Sequence, residues 1–359
     1  MRVSVMPAVV MPAVVMPAVV SARWWWWWWW WWVAAVVAHD GGGDPATVGR
    51  VARPRCLLTV HAHPDDESSK GPATVARYGA QGVRCVLVCC TGGEAGDILN
   101  PAMDTDEVRQ NLPAVRRREL DEAVQVIGYD ELVMLGYRDS GMPGTEANEH
   151  PDCFARAPLD EAVGRLVAVL RRARPDVVVT YPEDQSGYPH PDHLRVHEVT
   201  VAAFDAAADP AMFPGAGPAW QVAKLYASGW SSRRVLAMHE KFGELGLESP
   251  FEDGWLERAR RPGPPETTVI DVSGFADVRR RALLAHRTQV DPGSRMWFGL
   301  PPEVLQEVHP IDEYQLLRTA PGWAADLPYP LGAGSVEDDL FAGVQEWEDA
   351  GGVPSVPGR

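Results

Sequence analysis

The chain has 359 residues, 46% of them apolar, and its 33 basic against 49 acidic residues give a formal charge of −16 with a pI near 5.0. The apolar share suffices for the core of a soluble globular protein of one large or two ordinary domains. So acidic a balance excludes an electrostatic footprint for nucleic acid and disfavours anionic membranes.

Residues 1–54 stand apart from the rest. Val-Met-Pro-Ala-Val recurs three times, and tryptophan fills every position from Trp24 to Trp32. Arg2 before apolar sequence suggests a secretory signal or membrane anchor. Against that, Pro7, Pro12 and Pro17 would break any helix, and Arg23 leaves only Trp24 to Ala38 uninterrupted, short of the ~20 residues a span needs. The segment reads as a low-complexity extension, disordered or not native, outside the fold. Its five-residue period matches no solenoid.

From Arg55 onward, short β-rich runs alternate with helical patterns. Strands are expected at Cys56–Val60, Arg84–Cys90, Glu131–Leu135, Asp176–Tyr181 and Ala223–Ala227, and helices near Ser68–Gln81, Ala114–Ile127, Leu159–Arg174 and His190–Ala208. In Leu159–Arg174, residues Ala162, Val163, Leu166, Val167, Val169 and Leu170 mark one face of period 3.6. The strands are continuously apolar, as when helices cover both faces of a sheet. This order predicts an α/β protein with a doubly wound, mainly parallel, Rossmann-like sheet. Further on, Arg233–Leu245 and Phe275–His286 read as helices, Val269–Val272 as a strand and Arg260–Pro265 as a surface linker. Residues 209–320 are expected to form a smaller C-terminal layer completing the site, within one domain spanning 55–325. Residues 326–359 read as an acidic, Gly/Pro-rich tail. Five cysteines with no CxxC spacing point to buried free thiols in a reducing, cytoplasmic setting.

Open α/β sheets bind ligands at the carboxyl ends of their strands. Four polar loops follow the first four strands: His63–Glu67, Thr91–Gly96, Gly136–Met142 and Ser186–His193. Their convergence on one edge is the strongest functional sign in the chain. The first carries His61-Ala62-His63-Pro64-Asp65-Asp66-Glu67 and the fourth His190-Pro191-Asp192-His193. Imidazoles and carboxylates at two strand ends look like halves of one metal site. Zinc favours such ligands and, when catalytic, takes three from the protein and one water. His63 and Asp66, three apart, can chelate one ion. Asp65 then points elsewhere, free to act as general base on a water whose pKa the ion lowers from 15.7 toward ~7. Pro191 suits the first helical position, making His190 the cap. His193 can pair with His190 or, across one turn, with His197, and the spacing favours His193 as ligand. Helix capping by Asp and Glu, with an incidental histidine, is the bland alternative for each cluster. No GxGxxG or GxxxxGK[ST] fingerprint follows the first strand, which weakens a reading as a non-catalytic nucleotide or sugar binder.

His63-Pro64-Asp65-Asp66-Glu67 together with His190-Pro191-Asp192-His193 resembles the LmbE-like (PIG-L) family of zinc-dependent N-deacetylases, over about residues 56–320 with an extension to the Asp339-Leu340-Phe341-Ala342-Gly343 tail. Within it the chain is most similar to the mycothiol branch, which holds conjugate amidases and GlcNAc-inositol deacetylases. The resemblance implies Zn2+ on His63, Asp66 and His193, with Asp65 as base. It implies His190 as electrostatic or acid partner at the leaving amine and Tyr188 as donor to the oxyanion. Ser68-Ser69-Lys70-Gly71, Thr91-Gly92-Gly93-Glu94, Leu99–Met103, Ser249–Glu252 and Gln289–Pro292 resemble the amidase. Gly136–Met142 with Gly144-Thr145 is closer to the deacetylase, and Glu183-Asp184-Gln185-Ser186 departs from the Asp-Glu-Asn-Gly of both. Glu94, Arg138 and Asp139 are candidates for gripping sugar hydroxyls, with mutual pairing as the alternative. Lys70 resembles the residue that favours the conjugate over the bare amino sugar. The expected reaction is hydrolysis of the amide in a mycothiol S-conjugate, a small amino-sugar thiol substrate, in detoxification. Deacetylation of an N-acetylglucosaminyl substrate is the alternative.

Overall fold

The computed structural model describes residues 53–321, apart from 186, 230, 262, 264 and 265, together with residues 336–344. The tryptophan run, most of the 326–359 tail, Ser186 and much of the 260–265 linker therefore lie outside the described residues.

Helices of seven residues or more are numbered. In chain order the elements are β1 Cys56–His61, α1 Pro72–Ala80, β2 Arg84–Thr91, α2 Leu112–Ile127, β3 Glu131–Tyr137, α3 Leu159–Ala173, β4 Val177–Thr180, α4 Pro191–Ala208 and β5 Lys224–Ser228. There follow α5 Ser232–Glu244, α6 Asp253–Ala259, β6 Thr268–Asp271, α7 Ala276–Ala285, α8 Pro302–Val308 and β7 Ile311–Thr319. One seven-stranded sheet runs in the order β3-β2-β1-β4-β5-β7-β6. The first five strands are mutually parallel, and β7 is antiparallel to both neighbours.

Every residue of β1 and all but the first of β2 are buried, because both faces carry helices. Leu58, Val60, Val86 and Val178 pack with α3 and α4 on one face, where the six expected apolar residues of α3 are all buried. Leu57, Leu87 and Val177 pack on the other face with Tyr78 of α1, Leu120 of α2 and Ala282 of α7. The sheet is doubly wound, as the alternation of elements predicts. All five cysteines are buried and unpaired, and burial pushes the Cys56 and Cys85 thiols up to about 12.

Three features depart from the sequence reading. The helix expected over Ser68–Gln81 is broken: a single turn, Asp66–Ser69, ends at Lys70, and α1 restarts at Pro72. Gly71 makes the joint at φ 77°, and a Cβ there would lie 2.6 Å from the Tyr314 hydroxyl. Strand β7 was not anticipated, and it ties β5 to β6, so 209–320 extends the main sheet. Among the described residues, α5, α6 and α8 gather with Phe251, Met296 and Leu300 on a separate small apolar cluster around Met238, Phe242 and Leu256. Residues 336–344 are integral to the fold. Leu340 and Phe341 enter the core against α1, while Glu337 pairs with buried Lys224 at 2.7 Å and accepts from Tyr226.

Asp312 of β7 is buried, accepting from Thr74 (2.9 Å) and pairing with Arg279. Burial alone would raise its carboxyl; Arg279 and Arg234 outweigh that and hold it below the ordinary carboxylate range. A depressed folded-state pKa contributes stability above the unfolded value of ~3.9, lost as pH falls through the folded value. Asp312→Asn should therefore cost about 3 kcal/mol near neutral pH. Urea midpoints should show the gap from wild type narrowing as pH falls below the unfolded value of ~3.9. A gap constant with pH would refute this assignment.

Candidate active site

The strand order reverses direction between β1 and β4, and at such a switch point the loops beyond the carboxyl ends part to leave a crevice. Both His/Asp clusters lie there. Asp66 opens the single turn after β1, with Asp65 as its N-cap at φ 118°. His190 caps α4, its Nδ1 accepting from the Asp192 N–H at 3.2 Å, with Pro191 at the first helical position.

The two clusters meet. His63 Nδ1 and His193 Nε2 each lie 3.4 Å from the same oxygen, Asp66 Oδ2. Ligands ~2.0–2.2 Å from a tetrahedral cation sit about 3.4 Å apart. Both distances match that spacing and exceed those of good hydrogen bonds, and the three ligand atoms all lie within 4.8 Å of one another. His197 is turned away, its Nδ1 2.9 Å from the Tyr181 carbonyl oxygen. Burial would raise Asp66; Lys70 and His193 override it and hold its carboxyl well below the ordinary range.

The other nitrogen of His63 is also engaged. Nε2 faces Asp192 Oδ2 at 3.2 Å and Asp139 Oδ1 at 3.5 Å, an arrangement that assigns the proton to Nε2 and leaves Nδ1 to face a cation. Burial would lower His63, but the Asp139, Asp192 and Asp66 carboxylates keep it well above its ordinary range. Asp192 is itself fully buried and held by the N–H (2.9 Å) and hydroxyl of Ser140. The donor set fits a borderline cation such as zinc, two imidazoles and one carboxylate with a carboxylate behind one imidazole. A second grouping, His63, Asp139, His190 and Asp192, lies on the Nε2 side, where the His63–Asp192 contact is a hydrogen bond. Asp192→Asn should weaken metal affinity or turnover about 10–100-fold, read by competition with a chelator. Unchanged affinity and rate would remove Asp192 from this role.

Asp65 is not among those three donors. Its side chain is 30% exposed toward the cavity and contacts Arg116 at 2.9 Å. Burial pushes its carboxyl up to about 6, against the opposing pull of Arg116. His190 lies edge-on to His63 with ring centres 4.5 Å apart; burial, then the His63 charge, lowers it to about 4. Tyr188 stands at the rim, 54% exposed, its ring 5.4 Å from that of His193. These residues, with Lys70, line one cavity of about 1340 Å³ whose far wall includes Val235, Trp255 and Trp297.

The residues expected on the sugar part company. Lys70 lies in the cavity, its Nζ 2.6 Å from Asp66 Oδ1. Asp139 also lines it, yet its carboxylate is turned inward, accepting from the N–H groups of Ala95 (3.2 Å) and Gly141 (2.8 Å) beside His63. Glu94 accepts from the backbone N–H of Asp139 at 3.2 Å, a contact to the main chain that leaves the Asp139 carboxylate to its other partners. Arg138 is exposed and away from the cavity lining. The sequence reading overlooked Arg116, Asp192 as a support of His63, and the buried pair of Glu67 and His286 at 2.7 Å. Arg116 left one signal: it shares a helix face with Leu112, Leu120, Ala123 and Ile127, where a charge is out of place.

A family model described as PIG-L, GlcNAc-PI de-N-acetylase, matches residues 58–204. The mycothiol S-conjugate amidase of Streptomyces coelicolor is 43% identical over 299 residues, 81% of this chain and 97% of that protein. A 1D-myo-inositol 2-acetamido-2-deoxy-alpha-D-glucopyranoside deacetylase of Geodermatophilus obscurus is also 43% identical, over 81% of this chain and 98% of that protein. Among solved structures, an N,N'-diacetylchitobiose deacetylase from Pyrococcus horikoshii is similar in fold, with a TM-score of 0.52 and 17% identity over 77% of this chain and 87% of its own.

Proposed function

We propose, because the chain belongs to the PIG-L (LmbE-like) family of hydrolases acting on amide C–N bonds, that it hydrolyses the amide of a mycothiol S-conjugate. The products would be a mercapturic acid and glucosaminyl-inositol. The observation that carries the chemistry is the meeting of His63, Asp66 and His193 beside a cavity-facing Asp65. The first substrate class is supported by the amidase relative and by Lys70 in the cavity. The cavity also exceeds the ~300–1,000 Å³ usual for small-molecule clefts, room for a sugar carrying a thiol substituent.

In this reading His63, Asp66 and His193 would hold zinc, which when bound would supply Lewis acidity and bring the pKa of a water toward ~7. Asp65 would take the proton of the attacking water as its oxygen bonds to the carbonyl carbon. Tyr188 donates to the carbonyl oxygen as negative charge develops there. His190 stands on the leaving-group side, and the amine departs with a proton from His190 or Asp65. Lys70 neutralises charge at Asp66, and Asp192 keeps His63 oriented. A detoxification role in the cytoplasm agrees with five unpaired buried thiols. No helix among the described residues is long and apolar enough to cross a membrane. We also propose 55–325 as the catalytic domain, joined by the packed segment 336–344.

Deacetylation of an N-acetylglucosaminyl-inositol is the second reading, favoured by the deacetylase relatives and the Gly136–Met142 loop. Side-by-side turnover of a mycothiol bimane conjugate and the acetyl sugar separates the two. The expected result is kcat/KM higher for the conjugate by about tenfold or more. Preference for the acetyl sugar would replace the first reading with the second.

A further inference from the structure

We propose that Arg258, with Trp255 beside it on α6, is a specificity residue that receives an anionic aromatic group carried on the thiol of the conjugate. The inference rests on the amidase reading above.

Charge is divided between two sides of the cavity. Among the described residues, the lining drawn from positions up to 201 holds six carboxylates, Asp65 and Asp66 among them, against Lys70 and Arg116. The lining from position 228 onward holds Arg233, Arg258, Arg261 and Arg318 against Glu266. Arg233 faces Glu313 at 3.2 Å. Among the described residues, Arg258, Arg261 and Arg318 have no carboxylate within ion-pair distance. The chain carries 49 acidic residues against 33 basic ones, so arginines without a carboxylate on one cavity wall make a place for an anion from outside.

Of these arginines, Arg258 is the one aimed at the reacting end. A Cβ at Gly187 would lie 2.6 Å from its Nη1, so the guanidinium rests against bare backbone next to Tyr188. Trp255, three residues earlier, shares its helix face and also lines the cavity. An indole and a guanidinium on one face match a ring bearing an acid, the ring against the indole and the carboxylate on the planar fork. The glucosaminyl-inositol half of the substrate offers hydroxyls and no anion. The cationic wall therefore belongs to the acyl arm, where the S-substituent is the variable part.

The test compares two mycothiol conjugates, S-(4-carboxybenzyl) and S-(4-carbamoylbenzyl), nearly equal in shape and unequal in charge. Zinc-loaded wild type should show kcat/KM about tenfold higher for the carboxylate, against the repulsion of a chain at −16. That ratio should shrink as NaCl rises from about 0.05 to about 0.5 M, and fall to about 2 or less in Arg258→Ala. Arg281→Ala removes the same charge from an exposed pair with Asp277 on α7, outside the cavity lining, and should keep the wild-type ratio. A wild-type ratio near one or below, a ratio unchanged in Arg258→Ala, or an equal fall in Arg281→Ala overturns the proposal. If neither conjugate is hydrolysed, the amidase reading has failed, and the anion site is read by binding alone. The probes are then N-acetylcysteinamides bearing the same two S-substituents, titrated by calorimetry. A Kd about tenfold lower for the carboxylate, lost in Arg258→Ala, sustains the site. Equal Kd values, or binding of neither probe, overturn it.

Discussion

Replacing Asp65 with alanine is expected to leave the metal bound while hydrolysis falls about 10²- to 10⁴-fold, the range associated with one general base. At 1.36 kcal/mol per tenfold, that is about 3–5 kcal/mol of barrier. Metal should stay because the atoms spaced for a cation are His63 Nδ1, Asp66 Oδ2 and His193 Nε2, and the Asp65 carboxylate is directed to the cavity and Arg116 instead. Among the described residues, neither neighbouring carboxylate is placed to substitute. Glu67 is fully buried and committed to His286, Ser68 and the Asp65 N–H. Asp66 is tied to Lys70 and both imidazoles. Metal analysis and initial rates on the same sample check the expectation, and an undiminished rate would end the role given to Asp65.

His193→Ala is expected to yield protein with little bound metal and with activity at the level of chelator-treated wild type, about 10³-fold down or more. Two donors, His63 and Asp66, are a poor site for a cation that takes three from catalytic proteins. Zinc added back should restore chelated wild type but not the variant. His197→Ala supplies the contrast: its imidazole faces the Tyr181 carbonyl, so metal content should be unaffected. Full hydrolysis after exhaustive chelation, or metal loss in His197→Ala matching that in His193→Ala, would contradict this ligand set.

Much of the architecture was legible because burial on both faces writes itself as unbroken apolar runs, as in Cys56–His61 and Arg84–Thr91. Strand β7 was not, since Ile311-Asp312-Glu313 puts two charges where apolar residues are expected. Their burial is compensated by Arg279 for Asp312 and by Arg233, beside nearby His309, for Glu313, and no local pattern reveals the two arginines. Spacing narrowed the second cluster without deciding it, because His190, His193 and His197 recur at intervals that all share a helix face. The Tyr181 carbonyl separates them, and it belongs to another element. Arg138 and Asp139 are both candidates for the sugar by sequence, yet side chains that alternate along an extended chain go opposite ways, one to solvent and one inward. The Arg116 contact was harder still, joining residues 51 apart through an arginine in the run Arg116-Arg117-Arg118.

The Glu337–Leu340–Phe341 contact sets a practical boundary for producing this protein. A recombinant fragment stopped at residue 325, where Gly/Pro-rich composition invites a cut, would strand the Lys224 ammonium in the interior and bare the apolar side of α1. Losing one partner of such a pair costs about 3–5 kcal/mol, a large part of the ~5–15 kcal/mol that holds a typical domain together. Insolubility of that fragment would then reflect a severed clasp, with no bearing on catalysis, and a span that keeps the clasp reaches at least Val344.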